Sequence, residues 1–159
     1  SEEGIGSTFW FTIPYKPVET YEEESFDEPD KKSVLINNTD KVTLLVAEDD
    51  KSNYKLMEAI LGKEYQLIHA WNGEEAVKLY NDHKPNLILT DIKMPVMDGY
   101  ELVEEIRMHS KEIPVIAVTA YASEEDRSKI NEGGFNDFVA KPINALLLKE
   151  KISALLNIS

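Results

Sequence analysis

Beyond its first forty residues the chain gathers its apolar positions into short unbroken runs: VTLLVA at 42–47, YQLIHA at 65–70, LILTDI at 87–92, PVIAVTA at 114–120 and FVA at 138–140. Runs this short and this continuous mark strands covered on both faces. Between them the period changes to that of a helix. Leu56, Met57, Ile60 and Leu61 make one apolar stripe after Ser52, with Gly62 placed to end it. Leu102 and Ile106, then Leu148, Ile152, Leu155 and Leu156, repeat the i, i+3/i+4 spacing. Asn72, Ser123 and Asn144 stand just ahead of three such stretches, where a side-chain oxygen can accept from the first free helical N–H groups. Ser123-Glu124-Glu125-Asp126 approximates a capping box, with Asp where Glu or Gln is usual. This alternation predicts an α/β domain: a doubly wound, five-stranded parallel sheet with helices on both faces.

The opening forty residues break the pattern. Residues 1–14 hold a glycine turn, EEGIGS, and a β-favouring run, TFWFTIP. Residues 15–40 are polar and acidic, with Pro17 and Pro29, and predict a linker, which leaves 41–159 for the regular domain. Charge narrows the partners: a formal net charge of −13 argues against nucleic acid, whose binding needs clustered Lys and Arg. There is no Cys, so disulfides, thiolate metal sites and cysteine nucleophiles are excluded. No apolar run nears the ~20 residues of a membrane span. The N-terminus also lacks the basic-then-apolar order of a signal peptide. The expectation is a cytoplasmic piece without direct membrane contact, and an initial Ser in place of Met points to an excised fragment.

In an open α/β sheet, ligands bind beyond the carboxyl ends of the strands. The residues that fall there are Glu48, Asp49 and Asp50 after the first run, Asp91 in the third, Thr119 in the fourth and Lys141 after the fifth. Each has a plain structural use taken alone: a solvated acidic loop, a strand-ending Asp, a β-forming Thr, a surface Lys. Together at one sheet edge they form a set with chemistry. Carboxylates ~4 Å apart repel by about 4 kcal/mol at an effective dielectric near 20, so a proton or a cation must intervene. An all-oxygen set with open positions suits Mg²⁺. A Lys, a Mg²⁺ and a Thr hydroxyl would neutralise the oxygens of a phosphoryl group, and Asp91 would accept it as an aspartyl phosphate.

LLVAEDDKSN, TDIKMPVMDG, VTAYA and DFVAKPI, in that order over about residues 42–157, resemble the signature blocks of the receiver domain of two-component response regulators. The resemblance implies a flavodoxin-like sheet in the order 2-1-3-4-5. It implies Asp91 as phosphoacceptor and metal ligand, Asp49 as the direct Mg²⁺ ligand and Glu48 acting largely through water. The Lys93 carbonyl would complete the metal shell, and Thr119 and Lys141 would hold the phosphoryl group. Phe138 falls at the family's aromatic switch position, working with Thr119, and Pro142 at the position of a cis-proline that aims the Lys. Asn53 matches an Asn frequent in receivers of hybrid kinases. Asp50 departs from the family pattern, where many relatives have Asn, and is expected to tune metal affinity rather than bind. Phe138 lacks the hydroxyl that Tyr would offer.

SEEGIGSTFWFTIP resembles the last hairpin of the ATP-binding domain of histidine kinases, so the chain is expected to be part of a hybrid sensor histidine kinase. The phosphodonor would be a histidine kinase domain, the recipient a histidine phosphotransfer protein, and a dimer is a further arrangement. His69, His83 and His109 lack the neighbours of a kinase phosphoacceptor box and are expected at the surface or core edge. Two other functions compete. An Asp-dependent phosphatase would use Asp91 as nucleophile, but such enzymes place a second Asp two residues later, where this chain has Lys93. A degenerate receiver acting only as a docking module would be favoured by loss of Thr119 or Lys141, and both are present.

Overall fold

The computed structural model describes residues 41–120 and 124–157, with side chains from 41–120 and 128–157. The chain partitions into Ser1–Ile36 and Asn37–Ser159, and the fold below belongs to the second unit. The proposed hairpin at 1–14, the linker, and the Ser123 cap with its capping box lie outside the described residues.

Strands and helices alternate without exception: β1 Thr43–Ala47, α1 Lys51–Leu61, β2 Gln66–Ala70, α2 Gly73–His83, β3 Leu87–Asp91, α3 Gly99–His109, β4 Val115–Thr119, α4 Glu124–Glu132, β5 Asp137–Ala140 and α5 Ala145–Leu156. All strand pairs are parallel, in the order β2-β1-β3-β4-β5. The continuous apolar runs are explained by what covers them. Leu44, Val46, Leu87, Leu89, Ile116 and Val118 point to one face, where α1 and α5 bring Met57, Leu61, Leu148 and Ile152. Leu45, Ala47, Ile88, Val115 and Ala117 point to the other, against Ala76, Tyr80, Leu102, Val103, Ile106 and Ile130 of α2, α3 and α4. Burying each such Leu or Ile side chain contributes about 1.5–3 kcal/mol.

The helices start where polar side chains satisfy their first amides. Asn72 accepts from the Glu75 N–H, and Asn144 from those of Leu146 and Leu147. Two further caps come from acidic side chains. Asp98 and Glu101 make a reciprocal capping box for α3, and Asp50 caps α1 by accepting from Ser52 and Asn53. The α1 stripe also needs correction, because Leu56 is 45% exposed. Met57 and Leu61 are the residues turned fully inward, so the buried line is centred one position further on. Gly62 does end α1, but with a right-handed φ of −64°, so the left-handed freedom of glycine is not used there. No helix among the described residues is long and apolar enough to cross a membrane.

Candidate functional site

Three polar side chains among the described residues are buried, Glu48, Thr90 and Thr119, and all sit at the carboxyl end of the sheet. Parallel pairing puts them there. β1, β3 and β4 are in one register, with Ala47 beside Thr90 and Asp91 beside Val118, so their carboxyl ends share one edge. From β5, the Lys141 N–H donates to the Thr119 carbonyl at 2.7 Å, which fastens the Lys backbone to the Thr backbone.

Lys141 is the hub. Its Nζ donates to Asp91 Oδ2 at 2.5 Å and to Glu48 Oε2 at 3.0 Å. Burial works to lower its pKa, but the hydrogen bonds and charges of Asp91 and Glu48 outweigh that and hold it above the ordinary Lys value. Asn53 Nδ2 donates to Glu48 Oε1 at 3.0 Å, so both oxygens of this wholly buried carboxylate are engaged. Asp91 is held as firmly: its Oδ1 accepts from the Lys93 N–H at 3.1 Å, and its carbonyl accepts from the Thr90 hydroxyl at 2.8 Å. The helix after it is drawn close, since Gly99 donates to the Ile92 carbonyl at 2.8 Å and a Cβ on Gly99 would collide with the Asp91 carbonyl oxygen.

Asp49 completes the acid set. Ligand atoms of Glu48, Asp49 and Asp91 lie within 4.8 Å of one another, with Asp49 the exposed member. The fit of a divalent cation follows from charge: the cluster holds three carboxylates, and the one ammonium pairs with two of them, leaving two formal negative charges uncompensated. The donors are all oxygen, as Mg²⁺ requires. Asp50, expected to tune the metal, has its Oδ1 occupied at 2.9 Å by the N–H groups of Ser52 and Asn53.

The loop from β3 to α3 borders the acids. The Met97 N–H donates to the Pro95 carbonyl at 2.8 Å and Val96 has a φ of 70°, which makes a γ-turn of the rarer, more strained hand. Phe138 is partly buried beside the core, with Lys151 Nζ 5.7 Å from its ring centroid, and Lys151 also pairs with Asp137 at 2.6 Å. The Lys141–Pro142 bond is cis. His69, expected at the surface or core edge, is partly buried there and stands against the site: its Nε2 lies 2.9 Å from the Glu48 carbonyl. Nothing in IHAW flagged this, because the contact joins residues 21 positions apart.

The response regulator receiver domain family matches residues 44–153, and the chain belongs to that family. The polar-differentiation response regulator DivK of Brucella anthropi is 35% identical over 117 residues, spanning 72% of this chain and 95% of that protein. The hybrid signal transduction histidine kinase I of Dictyostelium discoideum is 40% identical over 120 residues, 69% of this chain but 7% of that protein. Among solved structures, the receiver domain of a sensor histidine kinase from Pseudomonas aeruginosa, with a magnesium ion coordinated in its active-site cleft, has a TM-score of 0.69 and 31% identity. It covers 74% of this chain and 98% of that one. The fold is the flavodoxin-like receiver fold in the order 2-1-3-4-5, and the domain is a module of two-component signalling.

Proposed function

We propose that this domain accepts a phosphoryl group from a phosphohistidine of a kinase or phosphotransfer partner onto Asp91. The observation that carries the reading is the Lys141–Asp91 ion pair beside two further acids, at the end of a strand where no core demand explains a carboxylate. In the transfer, an Asp91 carboxylate oxygen attacks phosphorus and the P–O bond forms as the P–N bond breaks; the donor imidazole, already protonated on its other ring nitrogen, leaves neutral with the electron pair of that bond. Asp91 is oriented for this by the Lys93 N–H and by Lys141. Once the carboxylate becomes an acyl phosphate, the Lys141 ammonium pairs with a phosphoryl oxygen, and Thr119 supplies a hydroxyl from the adjacent strand. Glu48, Asp49, Asp91 and the Lys93 carbonyl would hold Mg²⁺, which when bound supplies positive charge to the phosphoryl oxygens.

The hybrid-kinase reading of the whole chain is part of the same proposal. It is supported by the match to a hybrid histidine kinase and by the resemblance of residues 1–14 to a kinase hairpin. The phosphatase alternative is disfavoured by Lys93, which stands where a second acid would have to protonate a leaving group.

The test is an intact-mass measurement after incubation with Mg²⁺ and acetyl phosphate, beside Asp91→Asn. One added phosphoryl group, absent in the variant and lost at alkaline pH, is the expected result. Sustained consumption of acetyl phosphate at high turnover would assign a phosphatase instead, and neither adduct nor turnover would leave a docking module.

A further inference from the structure

Asp49 differs from the other acids of the cluster: among the described residues its carboxylate has no hydrogen-bonding or ionic partner. Its position is therefore set by the backbone alone, and that backbone lies beyond the regular sheet. The β1–β2 ladder ends at Ala47 beside Ala70, with a last bond from the Glu48 N–H to the Ala70 carbonyl at 3.0 Å. The next strand donor would have to come from the residues after Ala70, but β2 has turned away by then. The Trp71 N–H goes to Glu75 Oε2 at 2.8 Å, and Asn72 is the cap of α2. The carbonyl of Glu48, which belongs to the peptide that carries Asp49, is left without a strand partner.

The His69 ring takes that place at 2.9 Å. A carbonyl oxygen only accepts, so Nε2 carries the proton and donates. The ring is fixed in that pose from two sides. Tyr54 of α1 stacks on it with centroids 3.7 Å apart and planes 13° apart, and Trp71 meets it edge-on at 4.2 Å. Unstacked, the imidazole would rotate about its terminal torsion and hold the carbonyl only part of the time.

We infer that His69 is a positioning residue for Asp49: its Nε2–H extends the sheet by one bond beyond β2 and fixes the Glu48–Asp49 peptide, so the exposed carboxylate is presented towards Glu48 and Asp91. The inference rests on the metal reading given above, since preorganising a carboxylate without partners matters most for a bound cation. Orienting contacts of this kind change metal affinity without touching the metal. His69 is thereby separated from a packing role, which the two flanking aromatic rings would serve with any flat side chain.

The discriminating pair is His69→Phe, which keeps a stackable ring and removes the donor, and His69→Gln, which restores an N–H donor. Mg²⁺ binding to the full chain is measured by titration calorimetry, and thermal unfolding is followed in EDTA. The expected result is an increase in Kd of about tenfold for His69→Phe, with recovery in His69→Gln, while the two variants unfold within a few degrees of each other. Unaltered Mg²⁺ affinity in His69→Phe overturns the inference, as does equal loss of affinity in both variants tracking a loss of melting temperature. A wild-type chain that binds no Mg²⁺ overturns the metal reading and this inference together; the first two outcomes overturn the inference alone.

Discussion

Lys141 and Arg107 are both cations drawn partly out of water, yet the first faces two carboxylates and the second forms no ion pair among the described residues. Arg107 spreads its guanidinium over oxygens of the fold: Nε and Nη2 donate to the Gly134 carbonyl at 3.0 and 2.8 Å, Nη1 to that of Ile113 at 2.8 Å, and Nη2 to Asn136 Oδ1 at 2.9 Å. It thereby ties the end of α3 to the turns before β4 and β5. Burial lowers its pKa, and Tyr80 offsets this only in part. Lys141 shows the opposite balance, because acids stand where Arg107 has carbonyls. A charge satisfied by backbone oxygens holds a shape. A charge satisfied by carboxylates is available for exchange, since a phosphoryl group can replace one of them.

That contrast can be broken by substitution. Lys141→Ala is expected to slow phosphoryl uptake from acetyl phosphate by about 10²–10³-fold, as loss of one charge-stabilising donor typically does, measured by intact mass against time. Arg107→Ala should leave that rate within about twofold while lowering the unfolding free energy by about 2–3 kcal/mol, because several carbonyls lose a charged donor. A urea titration of both variants would collapse the contrast if the two losses were exchanged.

The pH dependence sharpens it further. A Lys pKa raised on folding contributes stability that is fully present below the unfolded value and is lost as pH rises through the folded one. The unfolding free-energy difference between wild type and Lys141→Met should therefore stay flat across neutral pH and shrink only above 10.5. A difference that shrank near pH 7 would mean that the acids are not holding the ammonium charged.

Smaller effects belong to the loop beside Asp91. Lys93 follows Asp91 by two residues, and its side chain is expected to screen the phosphoryl group from water. Lys93→Ala should change the rate at which the adduct decays by a few-fold without abolishing its formation, and an unchanged decay rate would remove that role. Val96→Gly should stabilise the domain by about 0.5–1 kcal/mol, since a β-branched residue at positive φ is strained and this one is 74% exposed. Thermal unfolding reads that gain.

The five strands were legible to within one or two residues because both faces of each are covered, leaving no polar alternation to blur the runs. Site residues at the strand ends were legible for a related reason: a polar residue closing an apolar run has few places to go but the sheet edge. What stayed hidden was held by distant backbone. The Arg107 contacts to Gly134 and the His69 contact to Glu48 have carbonyl partners 27 and 21 residues away, and a carbonyl has no letter in the sequence. Asp50 was hidden differently. It stands in an acidic triplet, where its letter does not set it apart from the metal-facing acids, and the two amides it accepts from belong to the first turn of α1. The Asp98–Glu101 box stands plainly in the sequence as D-G-Y-E, overlapping the end of the block TDIKMPVMDG.

The indole of Trp71 touches the imidazole that holds the peptide bearing Asp49, so two contacts connect an emitting chromophore to the acids. Trp71 is also half open to solvent, at 45%, where emission responds readily to its surroundings. The domain thus carries its own optical gauge. With Trp10 replaced by Phe to silence the other indole of the chain, occupancy of the acid cluster becomes a colour and intensity change that can be followed in milliseconds, without a label.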